Sequence, residues 1–206
     1  ERMNAIAVNL SDDPRSKLGP GHYDAGEAIL NLEKVASLKK PIGFYNPNNP
    51  KSKGIKTSAE KDKNEKKEKT ILDKSRSLRS PILSFANTDM AFRDNVLVAG
   101  NYHGFNVYEI DQMGVPELLS SVVCPGGQGD VSIVDNLLIM SVEQTRSRVD
   151  CGLQGVSKEA SPDRFRGIRI FDISNLSEPK QVGAVQTCRG SHTHSVVSGP
   201  DETGKI

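Results

Sequence analysis

The stretch "GIRIFDISNLSEPKQVGAV", residues 167–185, decides how the chain is read. It mixes apolar and polar side chains through "GIRIFDI", breaks at Ser174-Asn175, and resumes a mixed run after Pro179. Successive strand side chains point to opposite faces, so the pattern predicts two short strands joined by a turn. An earlier stretch, "GFNVYEIDQMGVPELLSSV" at 104–122, has the same layout. Ile110 through Pro116 runs parallel to Ile173 through Pro179, six steps in each. The chain repeats itself.

Working outward, the repeat starts at Asp89 and again at Asp130, with Asp94-Asn95 answered by Asp135-Asn136. The first copy predicts strands at 89–93, 95–100, 105–110 and 117–123, and the second at 130–134, 136–142, 168–173 and 180–187. A third copy is expected from His194. The first copy spans 41 residues and the second 64, most of the difference being "EQTRSRVDCGLQGVSKEASPDRFR" at 143–166. Four short strands in about 40 residues is the period of a β-propeller blade. No helix of ten or more residues is expected after residue 40. The expected fold is therefore all-β, a propeller of four-stranded blades forming an incomplete ring.

That layout divides the chain into an extended leader at 1–30 and an outermost strand at 31–41, "NLEKVASLKKP", that closes the last blade. A long Lys-rich loop follows at 42–86, expected to be disordered over 48–80. Then come a blade at 87–125, a blade at 126–188 with its insertion, and the start of another at 189–206. The chain opens on Glu1 and stops at "GPDETGKI", inside an expected hairpin, which reads as a fragment.

The paired stretches resemble LVIVD repeats, the blades of a bacterial β-propeller family, in their Asp-Ile-Ser turn and the proline six residues beyond the isoleucine. The likeness covers roughly residues 87–198. It implies an extracytoplasmic setting (periplasm, cell surface or secreted) and no settled activity, because a fold does not specify a function.

Composition narrows the function classes. The 206 residues carry a net charge of +1, and no run approaches the roughly 18 apolar residues of a membrane span. Residues 51–80 hold eleven Lys/Arg against five Asp/Glu. Interspersed acids and missing aromatics make this segment a solvated insertion rather than a nucleic-acid arm. The chain has no G-x-S-x-G, P-loop or H-E-x-x-H motif, so no standard catalytic template applies and the catalytic residues are unassigned.

What remains is a polar end. In a propeller the connections after the second and fourth strands of each blade share one face. That places Asn101, Tyr102 and His103 of the first blade near Gln128 and Asp130 of the loop "CPGGQGDVSIV" (124–134), with Arg146 and Arg148 of the insertion. Glu143, Arg164 and Arg166 join them, and Asn87 and Asp89 occupy the equivalent first-strand positions. Such a surface suits a carboxylated, phosphorylated or sugar-like ligand, or a protein partner. In "CRGSHTHSVV" (188–197), His192 and His194 alternate on one strand face, so together with Asp130 they form a candidate divalent-metal site. The competing reading is a hydrated channel lining. Aligning Cys124 with Cys188 sets His194 against Asp130. Cys151 lies in the insertion on the same face, so one disulfide is expected, from Cys151 to either Cys124 or Cys188.

Overall fold

The computed structural model describes residues 12–21, 24–38, 41, 87–152, 154–158 and 160–204. The long loop at 42–86, with its Lys-rich segment and the disorder expected over 48–80, falls outside them. Two compact units divide the chain, Glu1–Ser37 and Leu38–Ile206. In the first, a 3-10 turn at Pro14–Lys17 is capped by Asp13, whose Oδ1 accepts from Arg15 N at 2.9 Å. Lys34 pairs with Glu27. Residues 31–38 form no strand, so the expected outermost strand at 31–41 finds no ladder partner among the described residues. A strand without a neighbour leaves its N–H and C=O groups to water, and alternation alone does not hold it extended.

The second unit carries eight strands: β1 (Asn87–Arg93), β2 (Val96–Asn101), β3 (Gly104–Ile110), β4 (Pro116–Val123), β5 (Val131–Val134), β6 (Leu137–Val142), β7 (Gly167–Asp172) and β8 (Lys180–Gln186). They form two four-stranded antiparallel sheets, β1-β2-β3-β4 and β5-β6-β7-β8. Among the described residues the chain is all-β, and the two sheets do not close on themselves.

Local chemistry repeats with the sheets. Arg93 pairs with Val96 and Val134 with Leu137 across two-residue turns. Each turn puts its aspartate in the left-handed region, Asp94 at φ 52° and Asp135 at 49°, which a short polar side chain tolerates. Gly104 and Gly167 open β3 and β7 at φ 141° and 145°. A Cβ there would stand 1.9 Å from Val122 O and 2.0 Å from Val185 O, so no other residue fits. The ladders also shift at matching points, Val107/Tyr108 and Ile170/Phe171.

One core joins the sheets. Val96, Val98, Phe105 and Val107 of the first cluster with Leu138, Met140, Phe171 and Ile173 of the second. The Phe105 and Phe171 rings meet edge to face, centroids 4.9 Å apart. Each such side chain contributes about 1.5–3 kcal/mol by leaving water. A carboxylate fixes the junction: Asp89 Oδ2 accepts from Val131 N at 2.9 Å. The device recurs where Asp130 Oδ2 accepts from His194 N at 2.8 Å.

These bonds correct the repeat alignment by one residue. Cys124 N donates to His103 O and Thr187 N to Arg166 O, so Thr187, not Cys188, is the counterpart of Cys124. Likewise His194 stands where Val131 stands, not at the place of Asp130. The counting from cysteine to cysteine put a gap into the fourth strand, whereas the ladder anchored at Gly104 and Gly167 leaves none. Residues 194–204 form no strand, so the expected third copy, from His194, begins no sheet among the described residues.

Truncating the core should be costly at one phenylalanine and cheap at another. Phe105→Ala is expected to lose about 3–5 kcal/mol in urea unfolding. Phe92→Ala, at a side chain 59% exposed, should stay within about 0.5 kcal/mol.

Candidate functional site

The connections gather at one end of the sheets. A disulfide, Cys124–Cys151, joins the β4–β5 connection to the insertion, with Cα atoms 4.4 Å apart and a sequence separation of 27. Of the two pairings left open by the sequence, Cys151 takes the buried Cys124, and Cys188 is free and exposed. Closing a loop of that length removes about 3–4 kcal/mol of unfolded-state entropy in the chain-entropy picture. The insertion has its own scaffold. Arg148 bridges to Arg164, and Phe165 N donates to Ser147 O at 2.9 Å.

Arg169 anchors this end from inside. Its side chain is wholly buried. Its Nη1 donates to Pro125 O at 3.2 Å and Nη2 to Arg148 O at 2.6 Å, with the Phe165 ring 5.5 Å from the guanidinium. Burial pushes the guanidinium down to about 10, offset in part by the charge of Asp150. At neutral pH it remains a full cation held by carbonyl oxygens. One buried arginine thus holds a sheet connection and the insertion together, and its Nε has no partner. Its counterpart in the first sheet is Asn106, also buried, with neither side-chain polar atom bonded.

Two polar clusters lie beyond it. In the first, Gln128 Nε2 donates to Tyr102 OH at 3.4 Å, Gln128 N donates to Glu143 Oε1 at 3.3 Å, and Glu143 Oε2 holds His192 Nδ1. In the second, His194 Nδ1 sits 2.8 Å from both Asp130 Oδ2 and Ser141 Oγ, and Ser141 Oγ lies 2.9 Å from Ser191 Oγ. His194 Nε2 is buried without a partner. Ser141 stands where the first sheet has Gly100, and His194 takes at the second junction the place that Val131 takes at the first. A small-against-apolar contact in one junction has become a polar cluster in the next.

The sequence-expected residues divide accordingly. Tyr102, Gln128, Asp130, His192 and His194 do meet in these clusters. Asp89 is taken up by its latch to Val131. Asn87 pairs with Asn101 at the strand ends, and Asn101 Oδ1 accepts from His103 N at 2.9 Å. Arg148 is committed to Asp150 at 2.7 Å and Asp163 at 2.9 Å. Arg146 keeps a buried Nη1 with no partner. Sequence reasoning missed Ser141, Ser191 and Arg169. For Arg169 a signal existed, a charge within an otherwise apolar strand.

Chemically, Asp130, His194 and Ser141 do not make a nucleophilic relay. Such a relay needs the carboxylate and the hydroxyl on opposite ring nitrogens, and here both address Nδ1. His192 and His194 each direct Nδ1 at a carboxylate, the arrangement that orients imidazoles for metal binding through Nε2. Yet Asp130 is spent as an orienting partner, and His192 belongs with Glu143. Among the described residues no three His, Cys, Asp or Glu side chains converge as ligands. The expected set of His192, His194 and Asp130 is therefore split between two clusters. No helix among the described residues is long and apolar enough to cross a membrane.

No family model matches the chain, and no curated protein matches it.

Two predictions test the anchors. Arg169→Ala, which strands the Pro125 and Arg148 carbonyls and opens a cavity, should cost about 3–5 kcal/mol in urea unfolding. Arg169→Met keeps most of the volume and should lose less. The Asp150 carboxyl is held at about 2 by the Arg148 guanidinium beside it, below its usual 3.8. A carboxyl depressed in the folded state stabilises above its unfolded pKa and loses that contribution as pH falls toward 2. Asp150→Asn should therefore be slightly less stable than the parent at neutral pH, and the difference should shrink between pH 4 and pH 2.

Proposed function

We propose that this chain belongs to an extracytoplasmic β-propeller of the LVIVD-repeat kind and acts as a binding module through its loop end. The observation that carries this reading is the convergence of four connections, 101–104, 124–130, 143–166 and 188–194, through the disulfide, Arg169 and the Tyr102–Gln128–Glu143–His192 chain. A surface built from loops on rigid sheets is where binding residues are usually placed. The stacked, repeated sheets support the propeller architecture, since each blade buries its face on the next. A disulfide between buried and loop cysteines suits an oxidising compartment.

The chemistry on offer favours a ligand rich in oxygen atoms. Tyr102, Gln128 and His192 supply groups that donate or accept, and the half-buried Arg146 adds a cation whose Nη1, itself buried, has no protein partner. Carboxylated, phosphorylated or sugar-like groups, free or on a protein partner, match this set. A second reading, a divalent-metal site serving an oxidoreductase or hydrolase, is favoured by one observation: both imidazoles are oriented by carboxylates through Nδ1.

Glycan and acidic-peptide arrays test the first reading. The protein should bind members of one class, and Arg146→Ala or His192→Ala should weaken binding by more than about tenfold at unchanged thermal stability. Binding indifferent to both substitutions would overturn it. Calorimetric titration with Zn2+ and Cu2+ tests the second. Binding lost in His192→Ala or in His194→Ala would favour a metal at that histidine's cluster.

A further inference from the structure

The stem of the insertion is a short antiparallel ribbon. Arg148 and Arg164 stand opposite each other, flanked by Val149 N donating to Asp163 O at 3.2 Å and Phe165 N donating to Ser147 O at 2.9 Å. Opposite residues of such a pair point to one face, and so do residues two apart in an extended segment. Ser147 and Phe165 take the inner face, at 3% and 4% exposed. Arg148, Arg164 and Arg166 therefore take the outer face, each half-buried. Like charges set opposite each other repel, and this ribbon sets two arginines so.

Arg148 is neutralised, lying between Asp150 and Asp163. Arg164 and Arg166 have no carboxylate partner among the described residues, and carbonyls hold them instead. Arg164 Nη2 donates to Lys158 O, and Arg166 Nη2 donates to Cys188 O at 3.4 Å. A carbonyl fixes the position of a guanidinium and leaves its charge in place. The same two contacts bring Lys158 to one side of the pair and Arg189, next to Cys188, to the other. Both are exposed, and neither has an acidic partner among the described residues. The outcome is a row of four cations, Lys158, Arg164, Arg166 and Arg189. Within it Arg164 and Arg166 are about 7 Å apart, two residues along an extended chain.

We propose that this row binds an acidic polysaccharide, a sugar chain carrying uronate or sulfate-ester groups. Cations set in a row, rather than converging on one point, match anions repeated along a chain. Guanidinium groups take carboxylate and sulfate-like oxygens through paired N–H donors. Nucleic acid fits less well, because the aromatic ring between the arginines, Phe165, faces inward and offers bases nothing to stack on. Ser157, exposed beside Lys158, adds a hydroxyl for sugar oxygens. The inference rests on the loop-end reading for its binding role, and names the ligand class, but does not depend on the Tyr102–Gln128–Glu143–His192 chain.

Biolayer interferometry of the whole chain on immobilised polygalacturonate, dextran sulfate, uncharged dextran, single-stranded DNA and polyglutamate tests this. At least one acidic polysaccharide should bind and uncharged dextran should not. Affinity should fall at least about tenfold as sodium chloride rises from about 0.03 to about 0.3 M. Arg164→Gln with Arg166→Gln should weaken binding by more than about tenfold, and Arg164→Lys with Arg166→Lys by much less. Lys158→Gln with Arg189→Gln, both at exposed positions, should weaken it about threefold or more at an unchanged thermal midpoint, so the row stays testable if the stem variant unfolds. The proposal is overturned by no polysaccharide binding, by equal binding to uncharged dextran, by tighter binding to DNA or polyglutamate, or by indifference to the row substitutions. Array binding sensitive to His192→Ala and not to the row would keep the loop-end reading and end this one. Polysaccharide binding sensitive to the row and not to His192→Ala would do the opposite.

Discussion

The bond from Asp89 Oδ2 to Val131 N, repeated from Asp130 Oδ2 to His194 N, sets where each new sheet begins. A carboxylate accepting a backbone N–H is stronger than a neutral pair, and it is directional. Apolar packing alone tolerates sliding, because burial is proportional to area and indifferent to direction. The latch removes that freedom at the end of the first strand. Phe105 can then meet Phe171 edge to face, and the connections that follow each fourth strand arrive together at one end.

From that placement the loop end is assembled by unlike forces. The disulfide acts largely on the unfolded chain, closing a loop that would otherwise cost entropy to order. Arg169 acts on the folded one, exchanging its hydration for the carbonyls of Pro125 and Arg148. Burying a cation is expensive unless its donors are used, and this one leaves Nε without a partner. The same end also holds His194, whose Nε2 is unpartnered.

The equivalence of Val131 with His194, and of Gly100 with Ser141, gives these groups a history in physical terms. In the first junction a small residue accepts an apolar side chain, and the contact is inert. In the second, hydroxyl and imidazole replace them and bring Ser191 into the cluster. Nothing about the backbone changed to allow this, since Asp130 grips His194 N just as Asp89 grips Val131 N. A repeat architecture can thus carry chemistry at one joint while an identical joint elsewhere stays structural.

Much of the fold was legible in the sequence, because alternation, the Asp-Asn turns and the glycines at 104 and 167 act within a few residues. They determined the eight strands, while the sharing of one end by Tyr102, Gln128 and His192 was expected only from the assumed architecture. The alignment of Cys188 with Cys124 failed by one residue, since counting between like residues cannot see which N–H a ladder uses. Arg169, Ser141 and Ser191 were invisible as site residues, because their partners come from other strands and loops far along the chain. Residues 31–41 looked like a strand, and a strand needs a neighbour that local pattern does not supply. Local sequence determined the strands, the turns and the repeat. The cysteine pairing and the partner of each histidine nitrogen were decided only by tertiary structure, because they depend on distances between sheets, and those follow from packing and the aspartate latches.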